Sequence, residues 1–370
     1  MDLPKEFLTH KYAALFNNNH QSNGFENIIA VGNKCSKEIN REGFFFCSYD
    51  HKNKIENLNS SKGSPLVFDD LVFFEAEKIS KITEFTFQSK EKKEKIILNE
   101  KTSKAEYVSA VNRLKDHIQK GDIYEINYCI TFEAQNVTID PLEIYSKLNS
   151  ISKAPYSALV KLDDKYIISA SPELFLSKRN NKLYTKPIKG TAKRGATANE
   201  DQKLKTELLN SPKERNENVM IVDVSRNDLS RLAKKGTVKV EKLFDIETYE
   251  QVHQMVSTVC CELKEKTSFN DIIKATFPMA SMTGAPKIRA MELIDEFESY
   301  SRGPYSGCMG YMKKNGDFDL SVLIRSIFYN ATEKYLSFSV GSAITSLCDP
   351  EKEYEECLLK AAAMKKVLEG

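Results

Sequence analysis

Several features that would indicate particular classes of protein are missing from this sequence of 370 residues. No stretch approaches the ~18 apolar residues of a transmembrane helix, and the opening letters MDLPKEFLTHKY contain no apolar run of the signal-peptide type. We therefore expect a cytoplasmic protein outside the membrane. An excess of one charge is also missing, since 54 basic residues accompany 52 acidic ones. The balance favours a small-molecule partner over nucleic acid or an anionic membrane.

The cysteine pattern excludes two further classes. None of the eight cysteines forms a CxxC pair, and only Cys260 and Cys261 are adjacent. This spacing is typical neither of a disulfide framework nor of a zinc site, so it predicts reduced, buried thiols. Apolar residues make up 41% of the chain, which is enough for a sizeable core in two ordinary domains or one large unit.

Hydrophobic periodicity and capping residues predict several helices. The segment from Ser103 has a capping-box pattern with Glu106, apolar residues at helical spacing, and a stop at Gly121. A serine or aspartate followed by proline is typical of a helix start. Further helices are therefore predicted after Asp140, after Ser211 and from Pro350, and a fourth in APKIRAMELIDEFES.

Short apolar runs predict strands, beginning with NIIAVG, GFFFCSY and LVFFEA in the first hundred residues. Two hairpins are predicted with turns at 163–164 and 180–181, and the second brings Lys189 to a strand end. Later strands are predicted in TVKVEKL, YEQVHQMVSTVC, GCMGYM, DFDLSVLIRSIFY and KYLSFSV. Because no linker or repeat divides the chain, we expect an α+β protein with one large domain and mainly antiparallel sheets.

Closely spaced carboxylates occur on two predicted helices. Glu214 and Glu217 are three residues apart and share a helix face, and Glu353 and Glu356 repeat that spacing before Lys360. Two such faces that met across a cleft would suit magnesium, which prefers a few carboxylates together with water and an anionic substrate. A solvated helix surface with an ordinary Glu356–Lys360 salt bridge has the same pattern, so spacing leaves both interpretations open.

Other candidates for chemistry stand alone in the sequence. Thr283 and Gly284 precede a helix whose free amide groups would attract an anion, although a simple tight turn has the same sequence. Gly341 is a weaker case of the same kind. Arg325 interrupts an apolar strand and would need an anion if buried, and Tyr305 is placed to orient that anion. His253 and Lys189 each fit a structural role as well as a catalytic one.

Seven motifs, read together, favour the catalytic interpretation of these residues. SPELF, KPIKGTAKRG, ENVMIVDVSRNDLSR, SMTGAPKIRAMELIDEFE, RGPYSGCMGYM, DLSVLIRSI and DPEKEYEECLLKA lie between about residues 105 and 365. In this order they resemble the chorismate-utilising enzymes. The resemblance implies one domain in which two antiparallel sheets face each other, with helices outside and with magnesium and chorismate in the cleft. Residues 1–100 would be its variable N-terminal part and residues 101–370 its catalytic core.

Lysine at position 189 favours one branch of that family, which aminates chorismate to aminodeoxychorismate on the route to 4-aminobenzoate and folate. The anthranilate-forming branch usually has alanine there. The resemblance implies that Lys189 attacks the chorismate ring and expels the hydroxyl, after which ammonia replaces the lysine. Because this step needs a neutral amine, we expect partial burial to lower the pKa of Lys189 from about 10.4. Anthranilate synthesis and non-catalytic chorismate binding are the alternatives.

The resemblance also implies individual roles. Glu173 and His253 are expected beside Lys189 and the leaving hydroxyl. The expected magnesium ligands are Glu214, Glu217, Glu353 and Glu356. The residues expected to bind the chorismate carboxylates are Thr191, Thr283, Gly284, Tyr305, Arg325, Gly341 and Lys360.

Two positions depart from the family pattern. Glu125 stands where related nitrogen-transferring enzymes often have glutamine, and Ser342 stands where the family usually has glycine. No cysteine lies in a GxCxG-like turn, and we expect no room for a fused amidotransferase. A separate glutaminase subunit is therefore the expected source of ammonia.

Overall fold

The computed structural model describes residues 5–20, 24–36, 39, 41–60, 62–64, 66–82, 95–250 and 252–370. The helices in these ranges are α1 (Lys5–Thr9), α2 (Lys52–Glu56), α3 (Lys104–Gln119), α4 (Pro141–Ser152), α5 (Ala198–Asn210), α6 (Pro212–Ser230), α7 (Phe269–Thr276), α8 (Lys287–Phe297) and α9 (Pro350–Glu369). None of them combines the length and the apolar character needed to cross a membrane.

The strands in the same ranges are β1 (Tyr12–Asn17), β2 (Ile28–Gly32), β3 (Gly43–Cys47), β4 (Leu71–Glu75), β5 (Lys78–Lys81), β6 (Asn99–Glu100), β7 (Glu125–Ala134), β8 (Tyr156–Leu162), β9 (Lys165–Ser171), β10 (Leu174–Arg179), β11 (Lys182–Lys186), β12 (Ile188–Lys193), β13 (Lys239–Thr248), β14 (Val252–Glu262), β15 (Gly284–Ala285), β16 (Cys308–Met312), β17 (Phe318–Val322), β18 (Ser326–Asn330) and β19 (Tyr335–Ile344).

These strands form two antiparallel sheets. The first has the order β15-β7-β19-β18-β9-β8-β1-β2-β5, with β6 added beside β7. The second has the order β12-β14-β11-β10-β17-β16-β3-β4, with β13 added beside β14. Strands from the first hundred residues complete both sheets, since β1 pairs with β8 and β3 pairs with β16. The runs NIIAVG, GFFFCSY and LVFFEA are confirmed as strands β2, β3 and β4.

The two sheets pack face to face through aromatic side chains. Phe16 of β1 in the first sheet lies 6.1 Å, centroid to centroid, from both Phe44 of β3 and Tyr311 of β16 in the second. The opposite face of the first sheet is covered by α3, α4, α8 and α9, with Tyr107 and Met364 among the buried residues there. This arrangement confirms the expected α+β fold with two facing sheets and helices outside.

Most predicted helix starts are confirmed by their caps. Ser103 and Glu106 form the capping box of α3. The side chains of Asp140 and Ser211 accept hydrogen bonds from backbone N–H groups at the starts of α4 and α6. Each cap satisfies an amide group that the first helical turn leaves free. Such caps depend only on neighbouring residues, which explains why sequence alone located them. The helices α1, α2, α5 and α7 were not predicted.

Two strand predictions are wrong in a way that bears on the site. The run DFDLSVLIRSIFY is not one strand but two, β17 in the second sheet and β18 in the first, and the chain crosses between the sheets near Arg325. Arg325 has a positive φ of 52°, which a regular strand cannot contain. Lys189 does not end the second hairpin either. Pro187 separates β11 from β12, and Lys189 is the second residue of β12.

The thiols follow the prediction closely. All eight cysteines are free, and all except Cys35 are buried. Most of them therefore act as small apolar residues of the core.

Candidate functional site

The centre of the site is an ion pair that joins the two sheets. Lys189 on β12 of the second sheet lies with its Nζ 2.5 Å from Oε1 of Glu125, the first residue of β7 in the first sheet. The side chains are 9% and 1% exposed. Lys189 is therefore buried, and the solvated strand-end lysine that the sequence left open is excluded.

The predicted direction of the Lys189 pKa is wrong for this state of the protein. Burial, the largest single effect, lowers the pKa of Lys189, but the carboxylates of Glu125, Glu217 and Glu173 together raise it above the ordinary value. The expectation considered desolvation alone. A charged amine surrounded by three acids stays protonated more readily than one in water, so the neutral form has to be produced by a proton transfer inside the site.

Glu173 lies in the short connection between β9 and β10, where its side chain is buried. Burial raises the pKa of Glu173 to about 7, with the neighbouring Ser281 hydroxyl and the charge of Lys189 opposing the rise. A carboxyl group with this pKa is partly protonated at neutral pH. It is therefore suited to donate a proton to a leaving group.

The two predicted acidic helices face each other at this site. Lys213 of α6 places its Nζ 3.2 Å from Glu353 of α9 and 3.9 Å from Glu217 of its own helix. Glu356 forms a salt bridge with Lys360 at 2.6 Å, which is the ordinary pairing for residues four apart on a helix. The four acids are nevertheless linked electrostatically, because Glu356 raises the pKa of both Glu214 and Glu353, and Glu214 raises that of Glu217, although burial is the larger cause in each case.

The chemistry of these acids suits a magnesium ion. Glu217 is buried, burial raises its pKa to about 7, and its Oε1 atom has no hydrogen-bond partner in the described part of the chain. A divalent cation would satisfy that oxygen, and carboxylate oxygens are the donors magnesium prefers. In the present arrangement, no three acid, imidazole or thiol groups of the described ranges converge on one point.

His253 is buried on β14, but its contacts differ from the expected ones. Its Nε2 atom lies 3.0 Å from Asp201 of α5, and its Nδ1 atom lies 2.9 Å from the Thr248 hydroxyl. Both ring nitrogens therefore have protein partners. Neither Lys189 nor Glu173 is among them, so the catalytic role of His253 stays a prediction.

Arg325 and Lys360 lie together at the crossover between the sheets. The Arg325 guanidinium donates a hydrogen bond from Nη1 to the Lys360 carbonyl at 2.8 Å, and it makes no ion pair with any acid in the described ranges. Burial lowers the pKa of Arg325, against the opposing effects of Tyr305 and Glu356. A desolvated guanidinium without a carboxylate partner is a suitable site for an anionic ligand.

The glycine at position 341 allows close packing beside this arginine. Lys360 Nζ donates to the Gly341 carbonyl at 2.9 Å. A Cβ atom at Gly341 would lie 2.4 Å from Asn127 Oδ1 and 2.7 Å from Cys129 Sγ. Tyr305 is buried against the same cysteine, with its hydroxyl 3.8 Å from Sγ. Gly341, Tyr305, Arg325 and Lys360 thus belong to one region of the structure.

Thr283 and Gly284 lie next to Glu125 instead of forming a free helix N-terminus. Gly284 and Ala285 form β15, which pairs with β7 at Ile126 and Glu125. Gly284 has a φ of +152°, and a Cβ there would lie 2.2 Å from the Glu125 carbonyl. The Thr283 hydroxyl donates to the backbone at Met279. Thr191 is exposed on β12, two residues from Lys189, and its binding role stays a prediction.

Ser342, which departs from the family pattern, lies within strand β19 and is buried. Its hydroxyl lies 2.6 Å from the Tyr107 hydroxyl of α3, on the helix-covered face of the first sheet. Side chains alternate along a strand, so Ser342 points away from the face that Gly341 presents. The partner that sequence reasoning missed is Glu125, which was noted only as a departure from the family pattern. Its pairing with Lys189 spans 64 residues and leaves no local signal.

The comparisons with known proteins agree with this fold. Residues 45–366 match the family described as chorismate binding enzyme, and the chain belongs to that family. It is 40% identical over 263 residues to aminodeoxychorismate synthase component 1 of Bacillus subtilis, covering 71% of this chain and 55% of that protein. It is 38% identical over 267 residues to anthranilate synthase component 1 of Aquifex aeolicus, covering 72% of this chain and 53% of that one.

This chain covers a smaller share of a plant relative. The probable chloroplastic aminodeoxychorismate synthase of Oryza sativa is 42% identical over 290 residues, which is 77% of this chain and 32% of the rice protein. Among solved structures, anthranilate synthase component I of Streptococcus pneumoniae superposes with a TM-score of 0.77 at 25% identity, covering 99% of this chain and 93% of that one. The chain therefore spans about half, or less, of the length of these curated relatives.

Proposed function

We propose that this protein converts chorismate and ammonia to aminodeoxychorismate, as an aminodeoxychorismate synthase does. The observation that carries the proposal is the buried amine of Lys189, held 2.5 Å from Glu125 with Glu173 and Glu217 close by. A nucleophilic lysine needs a water-poor site with neighbouring acids that can exchange protons with it. Relatives in rice and Bacillus subtilis that carry this name, at 42% and 40% identity, support the same choice.

In this proposal Lys189 acts as a covalent nucleophile. The lone pair of the neutral amine forms a bond to a ring carbon of chorismate, and the bond between the ring and its hydroxyl oxygen breaks. The oxygen takes a proton from Glu173, whose pKa of about 7 allows the donation, and leaves as water. Ammonia then bonds where the hydroxyl stood, and the electron pair of the lysine–ring bond returns to Lys189.

The proposal assigns the two chorismate carboxylates to two different groups of residues in the site. One lies at Arg325, with Tyr305 and Lys360 beside it, since this guanidinium makes no ion pair with the described acids. The other carboxylate lies near the acids of α6 and α9, where magnesium would be held by Glu217 and Glu356, with Glu214 and Glu353 beside them. When bound, the metal would polarise a carboxylate as charge shifts into the ring.

The proposal includes a separate glutaminase as the source of ammonia. The sequence places no cysteine in a glutaminase-type nucleophile turn, and seven of the eight thiols are buried in the structure. The rice and Bacillus subtilis relatives differ in length from each other, because this chain covers 32% of the rice protein and 55% of the Bacillus protein. Ammonium salts should replace the partner in an assay of this chain alone.

Anthranilate synthesis is the second candidate, because the Aquifex aeolicus protein with that name is 38% identical over 72% of this chain. The reaction product separates the two. Incubation with chorismate, magnesium and ammonium should give aminodeoxychorismate, identified by mass spectrometry. A fluorescent anthranilate product would replace the first candidate by the second, and no consumption of chorismate would favour a non-catalytic binding subunit.

A further inference from the structure

Glu125 is the closest charged partner of the amine on which the proposed reaction depends. Its Oε1 atom accepts the 2.5 Å hydrogen bond from Lys189, and its Oε2 atom is buried without a hydrogen-bond partner in the described part of the chain. A glutamine at this position could accept the same hydrogen bond but could not take a proton, so the carboxylate adds the capacity to hold one.

We propose that Glu125 is the proton acceptor that converts Lys189 into a neutral nucleophile, an inference that rests on the proposed function. The proton moves along the existing hydrogen bond from Nζ to Oε1, which leaves a neutral amine beside a neutral carboxylic acid. The lone pair of the amine is then free to bond to the chorismate ring. When ammonia later displaces the lysine, the departing amine is again available to receive the proton from Glu125.

Burial makes this transfer more favourable than it would be in water. The ion pair holds two charges in a site where the side chains are only 9% and 1% exposed, whereas the product of the transfer holds none. Desolvation penalises the charged form of both groups, and a ligand that excluded the remaining water would increase that penalty. No change in net charge accompanies the transfer, so the surrounding acids do not oppose it as they would oppose loss of the proton to solvent.

The other charged groups around Lys189 are less well placed to receive the proton. Glu217 of α6 and Glu173 beside β10 both influence Lys189 electrostatically, yet neither makes an ion pair with it in the described structure. Glu173 is already assigned to the leaving hydroxyl, which requires it to hold a proton, and Glu217 faces Lys213. Only Glu125 is within hydrogen-bond distance of Nζ among the acids that the structure describes.

The alternative is that Glu125 only balances the charge of Lys189. The two roles predict opposite results for Glu125→Gln. As a proton acceptor, Glu125 is needed for turnover, and its loss lowers kcat at every pH. As a counter-ion, it keeps Lys189 charged, and its loss would make the neutral amine easier to form and raise activity at low pH.

The test compares Glu125→Gln with Glu133→Gln in the same strand. Glu133 is also buried and pairs with a lysine, Lys101, at 3.0 Å, but it lies at the other end of β7. Activity is measured with ammonium, magnesium and varied chorismate from about pH 6 to pH 9. We expect Glu125→Gln to lower kcat about 100-fold with little change in the KM for chorismate, and Glu133→Gln to keep the wild-type kcat.

A second comparison tests whether Glu125 acts through the lysine. Glu125→Gln introduced into Lys189→Ala should cause no further fall in kcat, because the proton that it accepts is no longer there. A kcat for Glu125→Gln within about threefold of wild type, or an activity increase at low pH, overturns the inference. So does a double variant that is slower by the product of both single effects.

Two controls keep the outcomes separate. Thermal unfolding shows whether Glu125→Gln folds. If it does not, Glu125→Asp takes its place, and a kcat equal to wild type then overturns the inference, because a carboxylate shorter by one methylene group lengthens the path of the proton from Nζ. The proposed function itself is judged by the product of the wild-type protein. If the wild-type protein forms aminodeoxychorismate and Glu125→Gln keeps the wild-type kcat, this inference is refuted while the proposed function stands.

Discussion

Arg325 donates a hydrogen bond from its guanidinium to the carbonyl of Lys360 at 2.8 Å, which joins the crossover between the two sheets to helix α9. The contrast with Arg302 is instructive. Arg302 is buried and Arg325 is half-buried, but Arg302 makes two hydrogen bonds to Glu298, of 2.6 and 2.9 Å, and further bonds to backbone carbonyls. Arg302 is therefore paired within the protein, whereas Arg325 makes no ion pair with any acid in the described part of the chain.

The first prediction follows from this difference. Arg325→Gln should raise the KM for chorismate at least about tenfold, because a hydrogen bond to a charged group contributes roughly 1.5–3 kcal/mol. Arg179 is a suitable control, since it pairs with Asp319 on the second sheet. Steady-state kinetics on Arg179→Gln should give the wild-type KM. An unchanged KM for Arg325→Gln would remove this residue from chorismate binding.

The second prediction concerns Lys189 itself. Lys189→Ala should bind chorismate about as well as wild type, measured by calorimetry, while kcat falls at least about 100-fold. The variant should also be less stable by about 3–5 kcal/mol, because Glu125 loses its partner while buried. Lys186→Ala on the neighbouring strand, where the lysine pairs with Glu247, is the control. Normal turnover by Lys189→Ala would exclude the covalent route.

The third prediction tests the magnesium site. Glu217→Gln and Glu356→Gln should each raise the magnesium concentration needed for half-maximal activity by at least about tenfold, because each removes a charged ligand from a site with few protein donors. Glu355 lies beside Glu356 but is exposed, so Glu355→Gln serves as the control. Magnesium titrations that coincide for all three variants would contradict the assignment.

The fourth prediction concerns pH and stability. Burial raises the pKa of Glu173 from 4.5 to about 7, so the folded state favours its protonated form. Its contribution to stability is therefore fully present below about pH 4.5 and is lost as the pH rises through 7. At pH 8 this loss amounts to about 3 kcal/mol, and Glu173→Gln should then be more stable than wild type by about that amount.

Chemical denaturation at two pH values measures this effect. The stability difference between Glu173→Gln and wild type should be large at pH 8 and small near pH 4.5, close to the ordinary carboxyl pKa. Glu265 is exposed, so Glu265→Gln serves as the control variant. A difference that stays constant between the two pH values would show that Glu173 is not held in its neutral form.

Sequence reasoning succeeded where a feature depends on near neighbours. The capping box at Ser103 and Glu106 and the proline after Asp140 both specify helix starts within four residues, and the structure confirms them. Hairpin β8–β9 likewise follows from two apolar runs around Asp163. The seven ordered motifs gave the family and the fold, because they constrain positions along most of the chain.

The features that sequence reasoning missed depend on contacts between distant segments. Apolar residues continue on both sides of Arg325, and no glycine or proline marks a break, so sequence reasoning took the run as one strand although the chain leaves one sheet for the other at this point. The pKa of Lys189 was predicted to fall because burial was considered without the acids that the fold assembles around the amine. Glu125 contributes most to that opposite effect, and its proximity became evident only in three dimensions.

The most direct test of the account is identification of the product formed from chorismate, magnesium and ammonium by the wild-type chain and by Lys189→Ala in parallel. The account predicts that wild type releases aminodeoxychorismate and that Lys189→Ala releases at least about 100-fold less in the same time. Anthranilate as the wild-type product, or aminodeoxychorismate formed equally fast by both proteins, would contradict it.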